Sequence, residues 1–177
     1  MEELIQKAQK GDRDAFVALL QEQELALYRA AKAVLQNEAD VEDAVAETVC
    51  KAFDKLQTLR RPKYFKTWLT SILLHNCYDI LRRRKGQVSS ELIPEAGYEE
   101  ERESALDVRE SLAALGENDR LALTLFYLND LSVREISKLL SISENAVKAR
   151  LSHGRKKFRQ VYEEREQETK EKGWVSL

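Results

Sequence analysis

The chain has 177 residues, of which 43% are hydrophobic and 34% charged, with a formal net charge of -2. Two cysteines are too few for a disulfide framework, and no run of about 18 apolar residues is present for a membrane span. The acidic start Met1-Glu2-Glu3 is unlike a signal peptide, so we expect a cytoplasmic protein that is not itself a membrane protein.

Helical periodicity begins at the first residues and continues through most of the chain. Only two Pro and six Gly interrupt it, and no stretch alternates apolar and polar residues for long. Gly11 breaks the first helix, and Asp12 has the position of an N-cap for the second. The sequence therefore predicts an all-α fold.

The next predicted helix, over residues 40–57, is acidic at its start. We expect Asp40 to cap it and Phe53 to lie on its apolar face with Val41 and Ala44. Asp40, Asp43 and Glu47 share one side at helical spacing. Complementing the helix dipole explains Asp40 but not Glu47, which lies two turns in. An acidic patch would repel DNA phosphates, so it indicates docking to a basic protein surface.

A basic and aromatic segment follows between residues 60 and 85. It contains eight Lys and Arg residues opposed by Asp79 alone. Cationic side chains neutralise a nucleic-acid backbone, and aromatic rings can stack on unpaired bases. We favour nucleic-acid binding for the cations, but a place in the protein core for Phe65 and Trp68. The alternative for Arg82 to Lys85 is a merely solvated helix end.

Residues 86–104 have the composition of a connection between domains. They contain six Glu and one Arg together with Gly86, Pro94 and Gly97. Acidic stretches with helix breakers are typical of solvated linkers. We therefore predict a domain over 1–85, a flexible linker over 86–104, a second domain over 105–160 and a charged C-terminal tail over 161–177.

The second domain contains a helix-turn-helix pattern at residues 132–159. Ser132 and Glu135 have the spacing of a capping box, and Ser143 is placed to cap the second helix. Ile142 is the apolar residue of the turn between them. Residues 144–160 carry six Lys or Arg and one Glu, which suits a helix that enters the major groove of DNA. The alternative is a merely solvated basic helix.

Two other classes of function compete with this interpretation. An enzyme is disfavoured because the pair His75 and Asp79 has no partners that would complete a triad, and no phosphate loop or metal-ligand spacing is present. We expect no cofactor and no metal. A stand-alone helix-turn-helix regulator would explain residues 105–160, but it leaves the acidic and the basic-aromatic helices without a role.

Four segments in this order resemble the extracytoplasmic-function group of the sigma-70 family. They are GDRDAFVALL, DVEDAVAETVCKAFDKL, FKTWLTSILLHNCYDILRRRK and the segment DRLALTLFYLNDLSVREISKLLSISENAVKARLSHGRKKFR. The resemblance covers residues 8–85 and 105–160. It implies two small helical domains joined by a flexible linker, the second with a helix-turn-helix, in an alternative sigma factor that starts transcription.

The resemblance also implies partners and sites. Core RNA polymerase would dock at Asp40, Asp43 and Glu47, and a membrane-bound anti-sigma factor would hold the protein inactive until envelope stress. Contacts to the minus-ten promoter element would come from Arg60, Arg61, Lys63, Tyr64, Lys66, Trp68, Asn76, Arg82, Arg83 and Arg84. Contacts to the minus-thirty-five element would come from Asn145, Lys148, Ala149, Arg150, Ser152, His153, Arg155 and Lys156.

The sequence departs from the family pattern at two places in the helix-turn-helix. Ser141 stands where the turn often has Gly, which predicts left-handed backbone strain. His153-Gly154 stands where a basic residue and Ala are usual, and Gly inside a helix costs about 1 kcal/mol relative to Ala. We expect His153 to lie near the DNA backbone.

Overall fold

A computed structural model describes residues 1–86, 108 and 110–174, which fall into two compact units. The described residues are helical with no strand, as predicted. The predicted linker lies outside the described residues apart from Gly86. The first unit contains helices α1 (Glu2–Gln9), α2 (Arg13–Val34), α3 (Glu38–Lys55) and α4 (Phe65–Gly86). After a helical turn at 110–113, the second contains α5 (Glu117–Leu123), α6 (Val133–Leu140) and α7 (Glu144–Trp174).

The start of α2 agrees with the prediction, whereas the start of α3 does not. Gly11 adopts a left-handed φ of 96°, and the Asp12 carboxylate accepts a hydrogen bond from the Ala15 amide at 3.0 Å. Asn37, not Asp40, caps α3, because its side-chain oxygen accepts from the Asp40 amide at 3.2 Å. Asp40 therefore lies inside the first turn, where its carboxylate is free to bond elsewhere.

Helices α3 and α4 run antiparallel. Arg84, at the end of α4, bonds to Asp40 at the start of α3, and Asn76, earlier in α4, bonds to Thr48, later in α3. Residue numbers therefore rise along one helix as they fall along the other. The buried side of α3 carries Val41, Ala44, Thr48 and Ala52. Phe53 was expected there, but it is 52% exposed, and its ring lies in a T-shaped arrangement with Phe16 at 5.2 Å between centroids. Small residues face α4 instead, which lets the two helices approach closely.

The loop between α3 and α4 is ordered by a polar side chain from α1. Gln9 donates through Nε2 to the carbonyl oxygens of Leu56 and Leu59, at 3.0 and 2.9 Å. Short 3₁₀ turns at Leu56–Thr58 and Pro62–Tyr64 complete the connection. Phe65 is fully buried, as predicted. Cys77 is also buried, which raises the pKa of its thiol to about 12.

In the second unit, α7 packs against both α5 and α6. Leu121, Leu125, Ile136, Val147 and Leu151 form the buried centre of the unit. A π-helical turn, Thr124–Leu128, extends α5 and leads into the segment before α6. We expected α7 to end near residue 159, but it continues to Trp174 and includes most of the predicted tail. Residues 161–174 have few breakers, so nothing stops the helix at the domain boundary.

Ser141 has the left-handed backbone that the sequence predicted. It is the C-cap of α6, with φ 54° and ψ 41°. A Cβ atom at such a position costs energy that glycine avoids. The turn is therefore built at a cost in stability.

Ser141→Gly is expected to stabilise the second unit by about 1 kcal/mol, because it removes the left-handed strain. The measurement is the free energy of unfolding from chemical denaturation. Ser152→Gly, the same chemical change at an exposed site in α7, is the control, and it should destabilise because glycine is a poor helix former. Equal effects of the two substitutions would contradict the assignment of strain to Ser141.

Candidate functional site

The helix-turn-helix is held by the caps that the sequence predicted. The Ser132 hydroxyl accepts from the Glu135 amide at 3.3 Å, and the Glu135 carboxylate accepts from the Ser132 amide at 3.0 Å. Ser143 caps α7 by accepting from the Ala146 amide at 3.1 Å. The Ser137 hydroxyl of α6 donates to the carbonyl oxygen of half-buried Ile142 in the turn at 2.6 Å. These bonds set the angle at which α7 leaves α6.

Helix α7 has one buried side and one cationic side. Val147, Leu151 and Gly154 are buried. The opposite side, which we call the α7 face, is exposed at helical spacing and contains Asn145, Lys148, Ala149, Ser152 and Lys156. Arg155 is at the edge of this face, where its guanidinium donates to the Tyr127 hydroxyl at 3.2 Å. Arg150 is half-buried and lies on the other flank, so the eight predicted residues do not share one surface.

His153 and Gly154 are where α7 meets α5. The His153 Nδ1 lies 2.5 Å from the Asp119 Oδ2, while its ring remains largely exposed beside the α7 face. A Cβ on Gly154 would lie 3.0 Å from Leu123 Cδ1 and 3.2 Å from Asp119 Cβ. Gly154 therefore allows the two helices to cross closely, which gives a packing reason for its cost in helix propensity.

In the first unit, the loop before α4 presents a small cationic surface. Arg60, Arg61, Lys63 and Tyr64 are exposed. The Lys63 ammonium lies 5.0 Å from the centroid of the Tyr64 ring, and this cation lowers the pKa of the Tyr64 hydroxyl. Lys66 and Trp68, in the first turn of α4, are half-buried, and the Trp68 ring lies 5.9 Å from that of Phe65.

Asn76 was predicted to contact DNA, and the structure contradicts this. It is 3% exposed in the interface between α3 and α4. Its amide nitrogen donates to the Thr48 hydroxyl at 2.9 Å, and its oxygen accepts from the Lys51 ammonium at 2.7 Å. Both ends of the amide are occupied within the unit, so Asn76 joins two helices and is not available to a base.

The three arginines at the end of α4 have different surroundings. Arg82 is paired with Asp79, and this bond, followed by the charge of His75, lowers the pKa of the Asp79 carboxyl. His75 Nε2 lies 3.3 Å from the same carboxylate. Arg84 is paired with Asp40. Arg83 is exposed and has no ionic partner among the residues that the structure describes.

The acidic surface of α3 differs from the predicted one. Asp43 and Glu47 are exposed, but Asp40 is buried against Arg84 and is not available to a partner protein. The exposed side, which we call the α3 face, contains Glu42, Asp43, Ala46, Glu47, Cys50, Phe53 and Asp54. Extending the spacing of Asp43 and Glu47 by seven residues finds Asp54, which the sequence analysis missed. Glu47 is bound by Lys51 at 3.1 Å, so a docking partner must compete with an internal cation.

None of the helices in the described part of the chain combines the length and apolar composition that crossing a bilayer requires.

Two family profiles and several bacterial proteins match this chain. Residues 19–87 match the family profile of Sigma-70 region 2, and residues 105–158 match that of Sigma-70 region 4. The ECF RNA polymerase sigma factor SigM of Mycobacterium tuberculosis is 27% identical over 156 residues, which are 86% of this chain and 80% of SigM. SigV of Bacillus subtilis is 28% identical over 137 residues, 75% of this chain and 81% of SigV.

A solved structure has the same architecture. CnrH, which is known from Cupriavidus metallidurans, superposes in its complex with the cytosolic domain of CnrY with a TM-score of 0.66. The two chains are 26% identical, and the match covers 92% of this chain and 96% of CnrH. Each of the two helical units therefore has a counterpart region in the sigma-factor profiles, in the predicted order. The chain belongs to the extracytoplasmic-function group of the sigma-70 family of RNA polymerase sigma factors.

Proposed function

We propose that this protein is an alternative sigma factor, which binds core RNA polymerase, recognises two promoter elements and starts transcription. The observation that carries the proposal is the separation of charge within the first unit. An exposed acidic face on α3 and a cationic loop before α4 belong to one small unit, while a second cationic helix belongs to the other. A protein that only bound DNA would have no use for the acidic face, because phosphates repel it.

The α3 face is the proposed site of core polymerase. Asp43, Glu47 and Asp54 supply negative charge, and the exposed ring of Phe53 supplies apolar area among them. Interfaces commonly combine an aromatic anchor with complementary charge. The partner surface should therefore be basic with an apolar pocket.

The loop before α4 is the proposed contact to the minus-ten element. Arg60, Arg61 and Lys63 can meet phosphates, and the exposed Tyr64 ring can stack on an unpaired base. Trp68, half-buried in the first turn of α4, would support this surface. Of the cations at the end of α4, Arg83 is the one proposed to reach DNA directly.

The α7 face is the proposed contact to the minus-thirty-five element. A helix that begins at a tight turn can insert its first turns into the major groove. Asn145 lies in the first turn of α7, where an amide can pair with adenine, and Lys148 and Lys156 follow on the same side. His153, held by Asp119, is proposed to face the DNA backbone.

We further propose control by an anti-sigma factor. CnrH was solved in complex with the cytosolic domain of CnrY. We propose that an equivalent membrane-bound partner holds this chain inactive and releases it under envelope stress. A stand-alone helix-turn-helix regulator is the second candidate, since the second unit alone has the parts of a DNA reader.

Transcription in vitro tests the proposed function. Purified chain is added to core polymerase with a library of promoter fragments, and run-off transcripts are compared with those of core polymerase alone. We expect new transcripts from a small set of promoters that share two spaced elements. Identical transcripts with and without the chain, together with tight binding of the chain alone to duplex DNA, would favour the regulator.

Lys148→Ala is expected to weaken promoter binding and to reduce the slope of log K against log salt by about one unit, because one phosphate contact is lost. Binding of the assembled holoenzyme is measured by fluorescence anisotropy over a salt series. Lys157→Ala is the matched control, since Lys157 is exposed on α7 but outside the α7 face. If both substitutions change the slope equally, the helix face has been assigned wrongly.

A further inference from the structure

The end of α4 holds four consecutive basic residues, from Arg82 to Lys85. Cations at a helix C-terminus complement its dipole, but neighbouring cations also repel one another. Arg84 differs from Arg83 because its guanidinium reaches across to the first turn of α3. The Arg84 Nη2 lies 2.7 Å from Asp40 Oδ1.

The Asp40 carboxylate is largely withdrawn from water. Its side chain is 13% exposed, whereas that of Arg84 is 55% exposed. Asp40 also lies in the first turn of α3, where the helix dipole favours a negative charge. A charged hydrogen-bond donor beside a carboxylate that is withdrawn from water stabilises it more than a neutral donor does. Arg84 is that donor, so its guanidinium is committed to α3.

We propose that Arg84 is a positioning residue: through Asp40 it fastens the last turn of α4 to α3, and so holds Arg83 where it can meet a DNA phosphate. This inference rests on the proposed function. The arginines at the end of α4 look like one cationic patch in the sequence, but the proposal gives them different roles. Arg84 bonds to α3 within the unit, whereas Arg83 contacts DNA. The bond between Arg84 and Asp40 also joins the helix that docks on polymerase to the helix that binds the minus-ten region.

The effect of Asp40→Asn on promoter opening distinguishes a positioning role of Arg84 from direct DNA binding, because the two roles predict changes in opposite directions. If Arg84 bound a phosphate, removing the competing carboxylate would leave promoter opening unchanged or strengthen it. If Arg84 acts through Asp40, then Asp40→Asn and Arg84→Ala should each reduce opening about tenfold, as expected for loss of one charge-assisted hydrogen bond. The double variant should be no worse than either single variant, because each substitution removes the same charge-assisted bond.

The test uses holoenzyme assembled from the full-length chain and core polymerase, on a promoter fragment with 2-aminopurine in the minus-ten region. Arg83→Ala is the matched control and should flatten the salt dependence of binding by about one unit. Adding Arg84→Ala to Arg83→Ala should flatten it no further, because Arg84 makes no phosphate contact of its own. Opening by the wild-type holoenzyme is the check on the proposed function itself. If the wild type opens no promoter, the inference falls with that function. If it opens one but the double variant Arg83→Ala with Arg84→Ala flattens the slope by about two units, or Asp40→Asn strengthens opening, only the positioning role is overturned.

A second readout needs no polymerase. Hydrogen exchange of the backbone amides at residues 82–86 is measured in the free chain. Both Asp40→Asn and Arg84→Ala should speed exchange there, because the last turn of α4 loses its tie, while Arg83→Ala should not. Unchanged exchange in Asp40→Asn would overturn the proposal even if the promoter assay gave no difference among variants.

Discussion

Reversing charge at Asp43 and Glu47, by Asp43→Lys with Glu47→Lys, is expected to abolish association with core polymerase. The two side chains are exposed on the α3 face, so the substitutions replace attraction by repulsion at two points of one interface. Juxtaposed like charges cost several kcal/mol, and we expect affinity to fall by at least ~100-fold. Association is measured by co-purification and by anisotropy of the labelled full-length chain with core enzyme.

Two controls make this result specific. Glu22→Lys with Glu24→Lys introduces the same charge change at exposed positions of α2, a different helix from the one that bears the α3 face, and should leave association nearly unchanged. Binding of the Asp43 and Glu47 variant to DNA through the second unit should also be preserved. Undiminished association of the variant with core polymerase would refute the docking assignment, whatever its effect on transcription.

Gly154→Val is expected to destabilise the second unit by about 2–3 kcal/mol, because the added side chain overpacks the crossing of α5 and α7. A Cβ alone would lie 3.0 to 3.2 Å from Leu123 and Asp119 atoms, so a branched side chain cannot fit unless α5 moves. Movement of α5 would also separate Asp119 from His153. The measurement is thermal and chemical unfolding of the full chain, with DNA binding followed in parallel.

Ala149→Val is the matched control for packing. It adds the same β-branched side chain to the same helix at an exposed position, where only helix propensity is affected, by at most about 0.7 kcal/mol. Gly154→Ala should be milder than Gly154→Val, since the better helix propensity of alanine offsets part of its crowding. Stability of Gly154→Val equal to that of the control would show that the crossing tolerates a side chain.

Local signals in the sequence were sufficient for the helices and for the helix-turn-helix. Each capping side chain accepts from a backbone amide only three residues away, as Asp12, Ser132 and Ser143 do. Both partners of such a bond are therefore visible in a short stretch of sequence. The strain at Ser141 was predictable for the same reason, because a tight turn restricts the backbone locally. The all-α class and the two-domain order follow from periodicity and from the few breakers.

Tertiary packing alone decided which polar residues are available to partners. Asp40 fits the acidic spacing and Asn76 lies among basic residues, yet both are buried where α3 meets α4, because each bonds to a residue at least 28 positions away. Phe53 fits the apolar pattern but is exposed. Gly154 is unfavourable for helix propensity, and only its close contact with α5 shows why a residue without a side chain is needed there. Helical spacing gives the relative directions of side chains on one helix, but only the neighbouring helix determines which direction is inside.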